Sequence, residues 1–347
     1  MLMRVEPGKV RAPEIGRVWL NSPPLSFRQL RGRVVLIDFW DYTCVNCIRT
    51  LPYVQAWHDR YREKGLTVIG VHTPEFMFAQ YESNVERAVR EFGLTYPIVM
   101  DSNYEIWKLF ACRCWPTKYL IDKDGYLRFA HFGEGAYDAF ESGIQELLRE
   151  IDANIELPAI MNAVRDEDRP GARCYPATPE LYLGHRRGEI GNEGGFREDT
   201  VANYSWSGDP EEQVFYVDGD WASTAEYLES AGTGAHRILL KYSARGVNLV
   251  MASPRADSCD VLILQDGAAL TPRQATTDTR FRAGNGKEQS YVPVSHARMY
   301  ALVDNPDFGT HTLELICPPG LAAFAFTFTS CVDPSAAGVP TGVSATL

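Results

Sequence analysis

Residues 34–52 read VVLIDFWDYTCVNCIRTLP, and this stretch decides the fold of the first part of the chain. The apolar, β-branched run from Val34 to Phe39 is typical of a buried strand. Residues Cys44 to Tyr61 follow with apolar side chains at helical spacing, which predicts a helix that begins at Cys44. A second β-branched run, Leu66 to His72, predicts another strand. The order strand, helix, strand is typical of an α/β domain.

Two cysteines, Cys44 and Cys47, lie at the start of the predicted helix. A thiol is nucleophilic only as a thiolate, and the N-terminus of a helix favours negative charge on Cys44. One thiol of such a pair attacks a substrate disulfide and the other resolves the mixed disulfide. We predict Cys44 as the nucleophile and Cys47 as the resolving thiol of a redox-active disulfide, with no other cofactor. A zinc half-site has the same spacing, but no second pair in the usual Cys-x-x-Cys form follows, so no metal is predicted.

The neighbours of this pair carry a family resemblance. The shared motifs are Asp38-Phe39-Trp40 before the pair, Pro52 eight residues after Cys44, and Trp115-Pro116-Thr117 before the apolar run Lys118 to Asp122. Together they resemble the thioredoxin superfamily. Trp19 to Leu25 and Val71 to Phe76 are more narrowly similar to the redoxin, TlpA-like domain of DipZ-type thiol-disulfide proteins. Over about residues 10–150, the resemblance implies a thioredoxin-like domain with a central mixed sheet flanked by helices.

The resemblance also implies roles for individual residues. Asp38 would be a buried carboxylate behind the disulfide, with its pKa raised by burial so that it accepts the proton of Cys47. Pro116 would be a cis-proline that faces the cysteines, and the backbone of Trp115 would pair with a substrate strand. Trp40 would pack beside the active-site helix and is counted with the substrate-binding residues; a core aromatic is the alternative.

Two features depart from the family pattern. The residues between the cysteines, Val45-Asn46, are neither the Gly-Pro of reducing thioredoxins nor the Pro-His of strong oxidants, so the direction of electron flow is open. Cys112 and Cys114 precede Pro116 and are candidate accessory thiols. Three interpretations of them stay open: a thiol relay or regulatory pair, ligands of a four-thiolate metal site with Cys44 and Cys47, and inert small core residues.

The rest of the first domain continues the α/β pattern. The predicted elements are a helix at Phe78–Phe92, strands at Pro97–Met100, Lys118–Ile121 and Tyr126–Phe132, and a helix at Tyr137–Ala153. His72 and Glu75 follow the second strand. They are either groups that tune the thiols or a loop histidine and a solvated acid, and neither is counted as catalytic.

The length of 347 residues predicts two domains. We place the redoxin domain at 1–154, a polar linker at 155–178 and an all-β sandwich or jelly roll at 179–347. Short motifs there look like the carbohydrate-binding-module-like domain that follows the redoxin domain in DipZ-type proteins. Two pairs of its predicted strands are His236–Ser243 with Val247–Ala252, and Met299–Asp304 with His311–Ile316. Trp206, Trp221 and Tyr227 would either stack on sugar rings or pack in the core.

Charge and hydropathy exclude some partners. A net charge of −11 with no basic stripe disfavours nucleic acid. No apolar run is long enough to span a membrane, and the start lacks the apolar core of a signal peptide. The chain as given is therefore expected in the cytoplasm, and outside it if the chain is an excised domain. Four further cysteines, Cys174, Cys259, Cys317 and Cys331, are expected as reduced structural thiols, with disulfides as the alternative.

The leading hypothesis is a thiol-disulfide oxidoreductase that reduces or exchanges protein disulfides. Its electrons would come from a separate donor, either a thioredoxin-like protein or a membrane thiol reductase, and its β-domain would dock or orient clients. A thiol peroxidase is one alternative, although the Pro-x-x-x-Thr-x-x-Cys pattern of a peroxidatic cysteine is absent around Cys44. The other is a glycan- or partner-binding protein with a regulatory disulfide.

Overall fold

The computed structural model describes residues 2–16, 18–284 and 286–332. The chain forms two compact units, Met1–Asp168 and Arg169–Leu347. The boundary falls inside the stretch 155–178, for which a linker is predicted. Among the residues that the structure describes, none of the helices has both the length and the apolar character that a bilayer crossing requires.

The first unit alternates strands and helices. Its strands are β1 (Met3–Arg4), β2 (Trp19–Leu20), β3 (Val34–Trp40), β4 (Leu66–His72), β5 (Ile98–Met100), β6 (Thr117–Ile121) and β7 (Leu127–Phe132). Its helices are α1 (Val45–Tyr61), α2 (Glu82–Glu91), α3 (Glu105–Leu109) and α4 (Tyr137–Ile151). The strand order in the sheet is β1-β7-β6-β3-β4-β5-β2, with β3, β4 and β5 parallel and the other pairs antiparallel. The predicted mixed sheet flanked by helices is confirmed.

Strand β3 lies in the middle of this sheet and divides its two cores. Successive side chains of a strand point to opposite faces. Leu36 and Trp40 therefore join the core that contains α1 and α4, whereas Ile37 and Phe39 join the core on the other face. Asp38 has the parity of Leu36 and Trp40. The strand thus directs a carboxyl group to the face on which the cysteine helix packs.

One predicted helix is shorter than expected. In place of Phe78–Phe92, the structure has a 3₁₀ turn, Met77–Gln80, followed by α2. Tyr81 between them has extended backbone angles and interrupts the helical hydrogen bonds. The Asn84 side chain donates to the carbonyl of Phe78 and fixes this break.

Residues 155–168, part of the predicted linker, are held on the first unit. Leu157 and Met161 pack against the core that contains α1 and α4. The Gln145 side chain donates to the carbonyl of Pro158, and the Glu141 carboxylate accepts from the backbone of Met161. Buried polar side chains of α4 therefore hold this segment in place.

The second unit consists of strands. They are β8 (Arg173–Cys174), β9 (Leu181–Tyr182), β10 (Val201–Tyr204), β11 (Phe215–Ser223), β12 (Leu228–Ser230), β13 (His236–Ala252), β14 (Cys259–Gln265), β15 (Ala268–Ala269), β16 (Arg280–Gly284), β17 (Lys287–Val294), β18 (Arg298–Cys317), β19 (Ala322–Thr329) and β20 (Cys331–Val332). Apart from the β8–β20 pair, these strands form one antiparallel network around an apolar core. The prediction of a C-terminal β-rich domain is confirmed.

In two places, two consecutive predicted strands form one long strand in the structure. His236–Ser243 and Val247–Ala252 are both parts of β13, and Met299–Asp304 and His311–Ile316 are both parts of β18. The two strands pair along their length, with register shifts between Ala244 and Gly246 and between Val247 and Asn248. The polar and glycine residues that suggested turns therefore lie at irregular positions of a continuous ladder.

The structure assigns Trp221 to one of its two predicted roles and changes the expected state of two cysteines. Trp221 is fully buried in the core, so it offers no surface to a sugar ring. Cys174 and Cys331 form a disulfide that joins β8 to β20. The expectation of reduced thiols is therefore wrong for this pair and holds for Cys259 and Cys317, which are free. Cys174 and Cys331 are directly opposite in the β8–β20 register, a proximity that their sequence separation of 157 conceals.

Candidate active site

The cysteine pair lies where β3 passes into α1. Cys44 is the N-cap residue of α1, and its sulfur accepts a hydrogen bond of 3.2 Å from the backbone N–H of Cys47. Cys47 occupies the first turn, with its Sγ 2.7 Å from the Cys44 Sγ. Cys44 is 9% exposed and Cys47 is fully buried. Both are thiols in this structure, and only Cys44 has surface through which a substrate sulfur can approach.

The electrostatic surroundings of this pair oppose thiolate formation. Burial raises the pKa of Cys44, and the hydrogen bonds from Cys47 only partly offset this rise. Glu75 and Asp41 raise the pKa of Cys44 further. Burial also raises the pKa of Cys47 well above its ordinary value, and Asp38 adds to this rise. From the sequence, the helix N-terminus was expected to lower the pKa of Cys44. In the structure the pKa is raised instead, because desolvation and two acids outweigh the effect of the helix.

Asp38 lies behind the pair on β3, as predicted. Burial raises its pKa to about 7, although Lys118 acts to lower it. Within the described part of the chain, neither carboxylate oxygen of Asp38 has a hydrogen-bond partner. A carboxyl group with a pKa near neutrality is suited to exchange a proton with Cys47.

Lys118 is a buried charge near the site that the sequence analysis did not single out. It is directly opposite Asp38 in the β3–β6 ladder. Its Nζ donates to the carbonyl of Gly133 and lies 5.9 Å from the centre of the Tyr137 ring. Burial lowers the pKa of Lys118, whereas Asp38 and Cys47 raise it. Its position opposite Asp38, at the second residue of β6, could be found only from the strand register.

The Trp115–Pro116 peptide bond is cis, as the resemblance implies. The indole N–H of Trp115 donates to the carbonyl of Thr73 over 3.1 Å, and its ring packs against Trp107 with centroids 4.3 Å apart. Trp115 is partly exposed and Pro116 is buried. Trp40 is fully buried, so its predicted place on the substrate-binding surface is wrong and its contacts are those of a core residue.

Asp41 and His72 form a buried pair beside the cysteines. Oδ2 of Asp41 lies 3.5 Å from Nε2 of His72, and both side chains are inaccessible to solvent. The imidazole stacks on Tyr42 and meets the Trp40 ring edge to face. Burial lowers the pKa of His72 to about 3, which keeps the ring neutral. His72 is therefore not a loop histidine, and Asp41 is an acid that the sequence analysis missed.

Cys112 does not join the Cys44–Cys47 pair. It packs in the core on the opposite face of the sheet, with Phe39 and Tyr119. Cys114 is partly exposed and lines a groove that also contains Phe110 and Tyr119. No cluster of three or more cysteine, histidine or acidic side chains suited to a metal occurs among residues 2–16, 18–284 and 286–332. The structure therefore gives the four-thiolate interpretation no support.

Two family models match the chain, one for each unit. Residues 11–130 match the AhpC/TSA family. Residues 178–329 match the thioredoxin-like C-terminal domain. The first match covers the cysteine pair and Pro116, and the second covers most of the β-rich unit.

Known proteins share one or both parts. The chain is 32% identical to protein DipZ of Mycobacterium tuberculosis over 323 residues, which is 91% of this chain and 42% of that protein. It therefore spans less than half of DipZ. Thiol-disulfide oxidoreductase ResA of Bacillus thuringiensis is 27% identical over 136 residues, 39% of this chain and 76% of that protein. A thiol-disulfide isomerase from Corynebacterium glutamicum has 26% identity, covers 40% of this chain and 96% of its own, and gives a TM-score of 0.37. The chain therefore combines a domain that matches the AhpC/TSA family with a following domain that matches the thioredoxin-like C-terminal domain family.

Proposed function

We propose that this protein is a thiol-disulfide oxidoreductase that reduces disulfides of other proteins. The observation that carries the proposal is the pairing of a helix-capping, surface-reaching Cys44 with a buried Cys47 whose sulfur lies 2.7 Å away. This arrangement gives one thiol access to a substrate and gives the other access only to the first. Relatives that match the first unit include one named as a thiol-disulfide oxidoreductase.

Cys44, Cys47 and Asp38 would carry out the exchange in two steps. The Cys44 thiolate attacks one sulfur of the client disulfide, and the other client sulfur leaves as a thiol after protonation. Cys47 then loses its proton to Asp38 and attacks Cys44, which releases the second client sulfur. The client gains two electrons and two protons, and the enzyme is left with a Cys44–Cys47 disulfide.

Each turnover requires a reductant for that disulfide. We place this role in a separate dithiol protein, either thioredoxin-like or membrane-bound, because Cys112 lies on the other face of the sheet. The raised pKa values of Cys44 and Cys47 support the reducing direction, since a dithiol whose thiolate is not stabilised gives up its electrons more readily. The β-rich unit is proposed to dock or orient clients.

The variant Cys47→Ser is expected to trap the mixed disulfide between Cys44 and a client. Without the resolving thiol, the Cys44–client bond has no intramolecular route to break. Incubation with oxidised insulin or scrambled ribonuclease should yield an adduct on a non-reducing gel that dithiothreitol removes. The matched control is Cys44→Ser, which should form no adduct. Adducts of equal yield in both variants would contradict the assignment of Cys44 as nucleophile.

Thiol peroxidase is the second candidate, because the AhpC/TSA family model matches residues 11–130. The residues before Cys44 argue against it. Asp41 lies three residues before Cys44 and Ile37 lies seven before it, in place of the threonine and proline of the peroxidatic pattern. The acids that raise the pKa of Cys44 also disfavour the thiolate that attacks peroxide. We expect stopped-flow measurements to find peroxide consumption no faster than by a free thiol, and fast consumption that is lost in Cys44→Ser would reverse this choice.

A further inference from the structure

The buried side chain of Asp41 holds the turn that carries Cys44 through hydrogen bonds. The carboxylate of Asp41 accepts hydrogen bonds from the backbone N–H and the hydroxyl of Thr43. It also accepts from the backbone N–H of Glu75, over 3.0 Å, in the segment that follows β4. The carbonyl of Asp41 in turn accepts from the backbone N–H of Cys44. Asp41 therefore joins the residue before the nucleophile to a second loop of the site.

Asp41 acts on the two thiols in different ways. Its carboxylate raises the pKa of Cys44, whereas a hydrogen bond from its backbone N–H lowers the pKa of Cys47. Three donors favour the ionised carboxylate and partly offset the effect of burial, which raises the pKa of Asp41. The neighbouring His72 is neutral and supplies no compensating positive charge.

Titratable groups face this position from every element packed around it. They are Asp38 from β3, His72 from β4, Glu75 from the segment after β4, Cys44 and Cys47 from α1, and Tyr42 with Arg87 of α2 beside it. Arg87 acts on Tyr42, and Lys118 acts on Asp38. Asp41 and Glu75 are the acids that oppose the Cys44 thiolate.

We propose that Asp41 is a positioning residue that fixes the turn that carries Cys44 and, through its buried carboxylate beside that turn, restrains the reactivity of the nucleophilic thiol. This inference rests on the proposed function and adds a determinant of its rate. A carboxylate near Cys44 destabilises its thiolate, so a smaller fraction of Cys44 is ionised at neutral pH and its attack on a disulfide is slower. Because the pKa of Cys44 is raised above its ordinary value, the reduced pair is mainly protonated at pH 7, and the effect falls on the rate rather than on the redox equilibrium.

The test is the variant Asp41→Asn in the full chain. Loss of the charge should lower the pKa of Cys44 by about one unit, which raises its alkylation rate by iodoacetamide at pH 7 about tenfold. The equilibrium constant with glutathione at pH 7 should change by less than about twofold, because Cys44 is mainly protonated at this pH. Mass spectrometry of the Cys44 peptide separates this thiol from the other free cysteines.

Asp101→Asn is the matched control. Asp101 is also a buried acid, and it accepts hydrogen bonds from Ile106, Trp107 and Thr73. It is not among the main groups that shift the pKa of Cys44. Its replacement should lower stability without a change in Cys44 alkylation. A folded Asp41→Asn protein with an unchanged alkylation rate would overturn the proposal, and so would equal rises in the alkylation rate of the two variants.

A second variant covers the case in which Asp41→Asn does not fold. Thr43→Val keeps the shape of the side chain and removes the hydroxyl donor, so a smaller fraction of Asp41 is ionised. Cys44 alkylation should then rise about twofold to threefold. No rise would count against the proposal. These measurements need no client disulfide, so a wild-type protein that fails to reduce insulin would refute the proposed function while the effect of Asp41 on Cys44 remained measurable.

Discussion

Replacement of Cys44 by serine is expected to lower the rate of insulin reduction by about a thousandfold or more. A serine hydroxyl is almost entirely protonated at neutral pH and forms no exchangeable bond with sulfur. Cys47, fully buried, has no surface from which to replace it. The turbidity of reduced insulin, with dithiothreitol or a thioredoxin-type donor as the electron source, measures this rate. Equal rates for wild type and Cys44→Ser would refute the proposed function.

The control for this experiment is Cys112→Ala with Cys114→Ala. Cys112 lies in the core on the opposite face of the sheet from Cys44 and Cys47. The double variant should therefore retain most of the activity, with a lower unfolding midpoint from the buried cysteine. Loss of activity in a folded double variant would instead support a thiol relay through these two residues.

Asp38→Asn is expected to slow the enzyme and stabilise its fold. The variant lacks the group that accepts the Cys47 proton, so the rate of insulin reduction at pH 7 should fall about a hundredfold. The rise of the wild-type rate with pH around the Asp38 pKa of about 7 should be absent from the variant. A rate profile that still rises at the same pH would assign that titration to another group.

The effect on stability follows from the direction of the same pKa shift. The folded pKa of Asp38, about 7, lies above its ordinary value of 3.8, so between these pH values the folded state binds more protons than the unfolded state. Wild-type stability should therefore fall as pH rises from about 4 to 7 and change little from this group above 7. At pH 8, Asp38→Asn should increase the free energy of unfolding by about 2 to 4 kcal/mol, and near pH 4 the difference should disappear. Urea denaturation at both pH values measures it.

Asp122→Asn is expected to have the opposite effect on stability at pH 8. Asp122 follows β6, accepts hydrogen bonds from the backbones of Asp124 and Tyr126, and pairs with Arg128 at 3.6 Å. Its replacement should therefore lower stability at pH 8 by about 1 kcal/mol. Destabilisation by both substitutions at pH 8 would contradict the idea that Asp38 is an unfavourably buried charge.

Features with a local cause were predictable from the sequence. The β-branched runs at β3 and β4, the helix after Cys44 and the hairpin at Asp122 each depend on neighbouring residues. The place of Asp38 came from the family motif, and the alternation of side chains along β3 gives the physical reason for it. The positions of Cys44, Cys47 and Asp38 followed from these local patterns and the family motifs.

Features set by distant pairings were not predictable in this way. Lys118 is opposite Asp38 only because β6 pairs with β3 in one register, and Asp41 meets His72 only because the ends of β3 and β4 are adjacent. The helix-terminus argument gave the wrong direction for the pKa of Cys44, because it did not include desolvation or the acids that the fold brings near. The length of β13 and β18 was also not predictable. These strands continue through polar residues because each pairs with the other along its length.

The Cys174–Cys331 disulfide constrains the order of the reduction potentials of the thiol groups in this protein. The Cys44–Cys47 dithiol is itself able to reduce disulfides, and the Cys174–Cys331 disulfide is one that every copy of this protein carries. The bridge stays intact while clients are reduced only if its reduction potential is lower than that of the Cys44–Cys47 pair. The reduction potential of the clients has to be higher than that of the pair. Structural disulfides typically lie below about −300 mV, so the potential of the Cys44–Cys47 pair has to stay above about that value for the bridge to remain closed. The bridge therefore limits how strongly reducing this protein can become before it begins to open its own β-rich unit.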